Sequence, residues 1–341
     1  MRLNTSVLVS SILATGIMAS SLAAERVLQT TSGPIKQSAA GLILPHEHLF
    51  TDLRGPDTPG YGQADIADVK RVMLPLLRDA KEAGVQTLIE CTSIGVGRNV
   101  HVVSALASES GMQVVVPTGV YGRANFAPKK YADATEDELV RLMMTEIVAG
   151  IDGTSVKAGF IKTASSDSEL KPLEAKFLRA SGRASLQTGV AVASHTTSGA
   201  IARKQLDILK ELGVPEDRFV WVHANAEPDI EIHKELAKRG AYIELDSVNG
   251  KEADDAKILK IVQALIAAKC EDKILLSQDA GWYNPGQVNG GNQRGFTALA
   301  QSFIPQMKKA GLTEAQINKL THENPFRAFS IPERPPLKNA K

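Results

Sequence analysis

Short apolar runs alternate with helical patterns along almost the whole chain, and no other feature limits its fold so strongly. The runs cover residues 41–45, 85–91, 113–117, 156–162, 189–194, 219–222, 241–245 and 273–277. Between the first two, Ile66, Val69, Val72, Leu76 and Ala80 recur at helical spacing up to Gly84, with Pro75 expected to kink the helix or mark a boundary. A later helix shows Ile258, Val262, Leu265 and Ile266 on one face. Eight strands in strict alternation with helices predict a closed parallel (β/α)8 barrel. A doubly wound open sheet is the runner-up, but it would usually carry a glycine-rich phosphate turn after its first strand. No proline- or glycine-rich linker divides the chain, so residues 24–330 read as one barrel domain and 331–341 as a proline-rich surface tail.

The N-terminus reads as a targeting segment rather than as part of the fold. Arg2 precedes the mostly apolar stretch 7–18, and Ser21-Leu22-Ala23 has the small-x-small pattern of a cleavage site. The expectation is a secretory signal peptide cut near Ala23, giving a secreted or periplasmic protein with no membrane span after cleavage. Lys and Arg total 39 against 38 Asp and Glu, so the charge pattern gives no reason to expect nucleic acid or an anionic membrane as partner. A small-molecule substrate remains. Cys91 ends a predicted strand and Cys270 a predicted helix near the opposite barrel face, a placement that argues against a disulfide.

In a barrel of this kind the carboxyl ends of the strands carry the chemistry. His46-Glu47-His48 follows the first strand, and alternation along a strand points both imidazoles to one face and Glu47 to the other. Lys162 closes the fourth strand, His195 follows the fifth, His223 the sixth and Asp279 the eighth. The other three histidines, His101, His233 and His322, fall in predicted helices. Taken singly, a strand-end histidine is more often a hydrogen-bonding residue than a ligand, and Lys162 could snorkel. Six such residues in one rotational order point to a metal site.

The order His-x-His, Lys, His, His, Asp resembles the phosphotriesterase branch of the amidohydrolase superfamily. The likeness spans residues 41–329. Cys91-Thr92 with Gly97-Arg98 looks like the family's second strand and loop. The stretch from Lys157 to Lys162 looks like its lysine strand, and Asn324-Pro325-Phe326-Arg327-Ala328-Phe329 like its C-terminal helix. The resemblance implies a binuclear metal hydrolase. His46, His48 and Asp279 would hold the more buried ion, and His195 and His223 the more exposed one. Lys162, carboxylated by carbon dioxide, would bridge both. Imidazole and carboxylate ligands suit zinc first, with cobalt, manganese or iron also compatible. A bridging hydroxide would attack a phosphotriester, lactone or carboxyl ester, with Asp279 taking its proton. The resemblance also implies a homodimer.

The pocket departs from the family's best-known members. Ser247 stands where a histidine or arginine is usual after the seventh strand, and Gln278 where a histidine often precedes the metal aspartate. Tyr121 resembles a family pocket tyrosine, Trp282 and Tyr283 could wall the pocket, and Glu90 and Arg98 could support the ligands. Two alternatives stay open: an exported amidohydrolase cleaving an amide or cyclic amide with the same metals, and a non-catalytic metal-binding protein.

Overall fold

The eight apolar runs form parallel strands in the computed structural model, which describes residues 25–123 and 126–333. A short antiparallel hairpin comes first, β1 (Arg26–Thr30) and β2 (Gly33–Ile35). The barrel then runs through β3 (Leu42–Glu47), β4 (Val85–Glu90), β5 (Gln113–Val115), β6 (Pro117–Thr118), β7 (Phe160–Ala164), β8 (Val192–His195), β9 (Phe219–Val222), β10 (Tyr242–Leu245) and β11 (Ile274–Leu276). One ladder joins β3, β4 and β5, and a second joins β6 through β11 in sequence order, every pair parallel. β5 and β6 are two halves of one barrel strand, broken at Val116 just before Pro117, which has no N–H to give to a ladder.

The barrel closes between β3 and β11 through the chain beyond them. Ser277 Oγ accepts from the His46 N–H at 2.9 Å, the Asp279 N–H donates to the His46 carbonyl at 3.1 Å, and His48 N–H donates to the Ala280 carbonyl at 2.9 Å. Gly281 makes this seam possible: its φ is +92°, and a Cβ there would lie 2.0 Å from the His48 carbonyl oxygen.

Strand alternation divides the apolar residues into two sets. Ile43, Val115, Phe160, Val220, Tyr242 and Leu275 pack in the inner set, closed off by Phe326 and Phe329. Leu44, Leu88, Ile161, Trp221, Ile243 and Leu276 pack in the larger outer set with the helices. In β3 the pairing register slips between Leu44 and Glu47. The slip lets Ile43 face inward and still turns His46 and His48 inward three and five residues later, which unbroken alternation would not allow.

Several boundaries differ from the sequence reading. Lys162 is the middle residue of β7, not its last, because the Ala158 and Gly159 N–H groups bond to the carbonyls of Glu146 and Val116 and delay the strand until Phe160. Pro75 does not end its helix, which runs Ile66–Glu82; it sits on the exposed side, where the carbonyl it leaves without a donor faces water. The expected surface tail begins inside a sheet: β12 (Ile331–Pro332) pairs antiparallel with β1 through Arg26↔Pro332 and Val27↔Ile331. The hairpin β1–β2 was absent from the strand pattern, although Thr31-Ser32-Gly33 is a turn signal. Cys91 and Cys270 are both buried free thiols. The expected signal segment lies outside the described residues.

Candidate active site

Four imidazoles form a chain at the carboxyl end of the barrel. Ring centroids are 5.2 Å apart for His46 and His48, 5.0 Å for His46 and His223, and 4.4 Å for His195 and His223. Asp279, at the start of the loop after β11, places Oδ1 3.3 Å from His48 Nε2 and 3.7 Å from His46 Nε2. Lys162 rises from the middle of β7 into the same space, and all six side chains line one cavity of about 170 Å³. The six predicted residues therefore come together. Among the others, Tyr121 and Trp282 line the cavity, whereas Tyr283 and Ser247 do not. Tyr283 is turned away: its ring stacks on Phe50 and its hydroxyl donates to Asp68 at 2.8 Å.

The imidazoles are held from behind. Nδ1 of His46 lies 3.0 Å from Glu244 Oε2 and 3.3 Å from Asp246 Oδ2; Nδ1 of His223 lies 3.0 Å from Asp246 Oδ1. Asp246 faces both Nδ1 atoms and as a carboxylate only accepts, so each Nδ1 donates and each Nε2 keeps its lone pair facing the cavity. His48 follows the same logic through one more group. Its Nδ1 meets Thr92 Oγ1 at 2.7 Å, and Thr92 spends its one proton on Glu90 Oε1 at 2.6 Å. The Nε2 atoms of His46 and His48 thus face each other as two acceptors only 3.3 Å apart, a contact that neither can satisfy. Beside them Asp279 Oδ1 is buried and takes no hydrogen bond.

His195 is engaged differently. Arg123 Nη1 lies 2.7 Å from its Nε2, and a guanidinium can only donate, so this ring nitrogen is the acceptor.

Burial governs the charges. It pushes His46 down to about 3, with Lys162 adding to the effect, and lowers His48 and His195 as well. The rings are therefore neutral and can act as ligands. Burial also pushes Glu90 up to about 7 and Glu244 well above the carboxylate range, Glu244 further because Asp246 stands beside it. Asp246 goes the other way: burial opposes ionisation, but His223, whose Nδ1 donates to it, outweighs that. Lys162 is 2% exposed, and among the described residues its ammonium has no hydrogen-bond or ion-pair partner. A buried cation left alone is costly.

Backbone strain gathers at the same place. His223, Asp279 and Trp282 have φ of 65°, 48° and 75°, in the left-handed region that non-glycine residues avoid. The His223 N–H is fixed there by a 2.9 Å bond to Asp246 Oδ2. On the far side of Lys162, Gly119 has φ +102°, and a Cβ would sit 2.3 Å from the Lys162 carbonyl oxygen, so the loop after β6 can approach β7 only with glycine there.

Sequence reasoning overlooked Glu244 and Asp246. Their signal was available: two acids spaced by two residues at the end of a strand share its inner face with the ligands. Glu90, expected to support the ligands, does so through Thr92, which carries no comparable mark because its role depends on contact with a histidine 44 residues away. Arg98, considered as a supporting residue, pairs with Glu146 instead, at 2.6 Å, away from the histidines.

Donor type fits a divalent ion: three inward imidazole lone pairs converge with a carboxylate oxygen that accepts no hydrogen bond. His46, His223 and Asp279 have ligand atoms close enough to share one ion.

Comparison with known proteins agrees with this architecture. The model of the phosphotriesterase family matches residues 26–329. A phosphotriesterase homology protein from Escherichia coli is 31% identical over 85% of this chain and 98% of its own length. Human N-acetyltaurine hydrolase is 30% identical over 87% of this chain and 96% of its own length. Among solved structures, a variant of the organophosphorus hydrolase from Deinococcus radiodurans superposes with a TM-score of 0.79 at 28% identity, covering 90% of this chain and 98% of that one. A variant of a PTE-like lactonase from the same organism gives 0.79 at 27% identity, covering 89% and 99%. Barrel, sequence and site agree: this chain is a hydrolase and belongs to the phosphotriesterase family.

Proposed function

We propose that the cavity is a two-metal hydrolytic centre acting on a small ester, lactone or phosphotriester. The observation that carries this reading is the set of lone pairs with nowhere to go: Nε2 of His46, His48 and His223 and Oδ1 of Asp279, beside the unpartnered Lys162. His46, His48 and Asp279 would hold the inner ion, His195 and His223 the outer, and a carboxylated Lys162 both. His195 would join once Arg123 releases its Nε2, or through Nδ1 after loss of its proton. When bound, two divalent ions polarise a carbonyl or phosphoryl oxygen and supply hydroxide from water at neutral pH.

The chain's own residues set the rest. Glu244, Asp246 and the Thr92–Glu90 pair orient the rings. Asp279 is anionic, lies at the cavity and is the group placed to take a proton from the attacking water. Trp282 packs on His48 with centroids 4.3 Å apart and, with Leu53, Val96 and Phe126, gives the cavity apolar walls. At about 170 Å³ the space suits a compact substrate better than a bulky one.

A second reading, amide hydrolysis by the same centre, is favoured by the relatives named N-acetyltaurine hydrolase, of which the human protein spans 87% of this chain. Kinetics of metal-replete enzyme on matched phosphotriester, lactone, ester and amide substrates, with Asp279→Asn as the control, decide among these. Turnover of none, in protein carrying two ions per chain, would leave a non-catalytic metal binder.

A further inference from the structure

Arg123 stands behind two side chains of the cavity wall, His195 and Tyr121, with more hydrogen-bonding capacity than its neighbours use. It follows β6 in the same loop as Tyr121. One edge of its guanidinium meets Asp167 Oδ2 at 2.9 Å, in the loop after β7. Asp167 is itself fixed, its Oδ1 accepting from Thr197 N–H at 2.7 Å and Thr196 Oγ1 at 3.2 Å. The other edge reaches His195 Nε2 at 2.7 Å. Among the described residues, Arg123 is the one arginine hydrogen-bonded to side chains that line the cavity, His195 and Tyr121.

The two edges are not equally well served. Asp167 gives a charge-assisted bond. His195 offers one neutral nitrogen, a weaker partner for a group with five donors in a planar fork. A carboxylate or sulfonate at the cavity would be a better one, because it is charged and presents two or more oxygens to the fork. Tyr121 adds a donor beside it. The apolar lining residues Leu53, Val96, Phe126 and Trp282 offer an anion no charged partner.

Resting on the hydrolytic reading above, we infer that Arg123, braced by Asp167, selects small acyl substrates whose leaving portion carries a carboxylate or sulfonate. The anion would sit one imidazole ring away from the reacting carbonyl, which limits the linker to a few bonds. In the cleavage itself water adds its oxygen to the acyl carbon, the C–N or C–O bond breaks, and the leaving nitrogen or oxygen takes the proton. Arg123 makes no bond to the reacting atoms and acts on affinity and orientation.

The test compares metal-replete wild type with Arg123→Met, Arg123→Lys and Asp167→Asn on N-acetyltaurine, N-acetyl-β-alanine and the neutral N-propylacetamide. Wild type should favour both anionic substrates over the neutral one by at least about ten-fold in kcat/KM. Arg123→Met should cut that ratio by about ten-fold or more, mainly through KM, and Arg123→Lys should keep part of it. Asp167→Asn should move the ratio in the same direction by less. Calorimetric titration with free taurine and β-alanine gives a readout independent of turnover, and binding should weaken in Arg123→Met. Equal use of charged and neutral amides by wild type, or a ratio untouched in Arg123→Met, overturns the inference and leaves the hydrolase reading standing. Failure to cleave any amide, ester, lactone or phosphotriester overturns the hydrolase reading; calorimetry then decides for Arg123, and absence of anion binding overturns its role too.

Discussion

Glu47 shows how one residue between two others can be neither ligand nor bystander. Its neighbours face the cavity, so it faces outward, and there it accepts from Ser277 Oγ at 2.8 Å, Gln278 N–H at 3.1 Å and Ala280 N–H at 2.7 Å. It pins the loop that delivers Asp279. Burial pushes its carboxyl up to about 8 against these bonds. A carboxyl whose pKa is raised on folding binds more protons folded than unfolded, so its contribution to stability falls as pH rises from about 4.5 to about 8. Glu47→Gln should flatten the slope of unfolding free energy across that window, measured by urea titration at its two ends; an unchanged slope would remove Glu47 as its source. Lys162 gives a second prediction at this scale. Replacing it with Met should abolish binding of the bridged pair of ions and lower activity by about 100-fold or more. The metal-free protein should become more stable, by about 1–3 kcal/mol, because an unpaired buried cation has gone. Elemental analysis and melts of the metal-free form check the two halves separately.

Among the elements, the loops after the strands are fixed by buried contacts that periodicity does not reveal. The loop after β4 is tied down by Arg98, whose fork meets both oxygens of Glu146 at 2.6 and 2.7 Å in the helix Glu136–Val148. Thr118 of β6 donates to the same carboxylate, so one ion pair joins two strand ends and a helix. Arg98→Leu leaves Glu146 charged and buried, and should cost about 3–5 kcal/mol by denaturant unfolding. A cost below about 1 kcal/mol would mean that the loop is held by packing alone. The strands themselves were legible, since apolar runs bounded by helices leave little choice. The break at Val116 and the delayed start of β7 were not, because they depend on where neighbouring carbonyls lie. Likewise the register slip in β3 changes no residue type, yet it decides which side chains face the cavity.

For the molecule as a whole, the proposed ligands come from five places around the barrel: the ends of β3, β8 and β9, the middle of β7 and the loop beyond β11. Ions held there would tie together parts of the chain that lie up to 233 residues apart, from His46 to Asp279. Chelation should therefore lower the melting temperature as well as abolish activity, and two equivalents of zinc should restore both. Mass action gives the scale, about 2.7 kcal/mol for a site at a hundred times its dissociation constant. A melting curve indifferent to chelator, in protein shown to have lost its metal, would contradict this cross-linking role.

Sequence alone determined the barrel, through the order of its apolar runs, and the six residues that meet in it, through their places in or just beyond the strands. Those are properties of spacing, and the topology of a closed parallel barrel converts spacing into position with little freedom left. Only the tertiary structure decided which groups stand behind the histidines, that Trp282 faces the cavity while Tyr283 turns to Asp68, and that Arg123 reaches His195 from a different strand. These depend on side-chain direction and on contacts between residues distant in sequence, which residue type and periodicity do not encode.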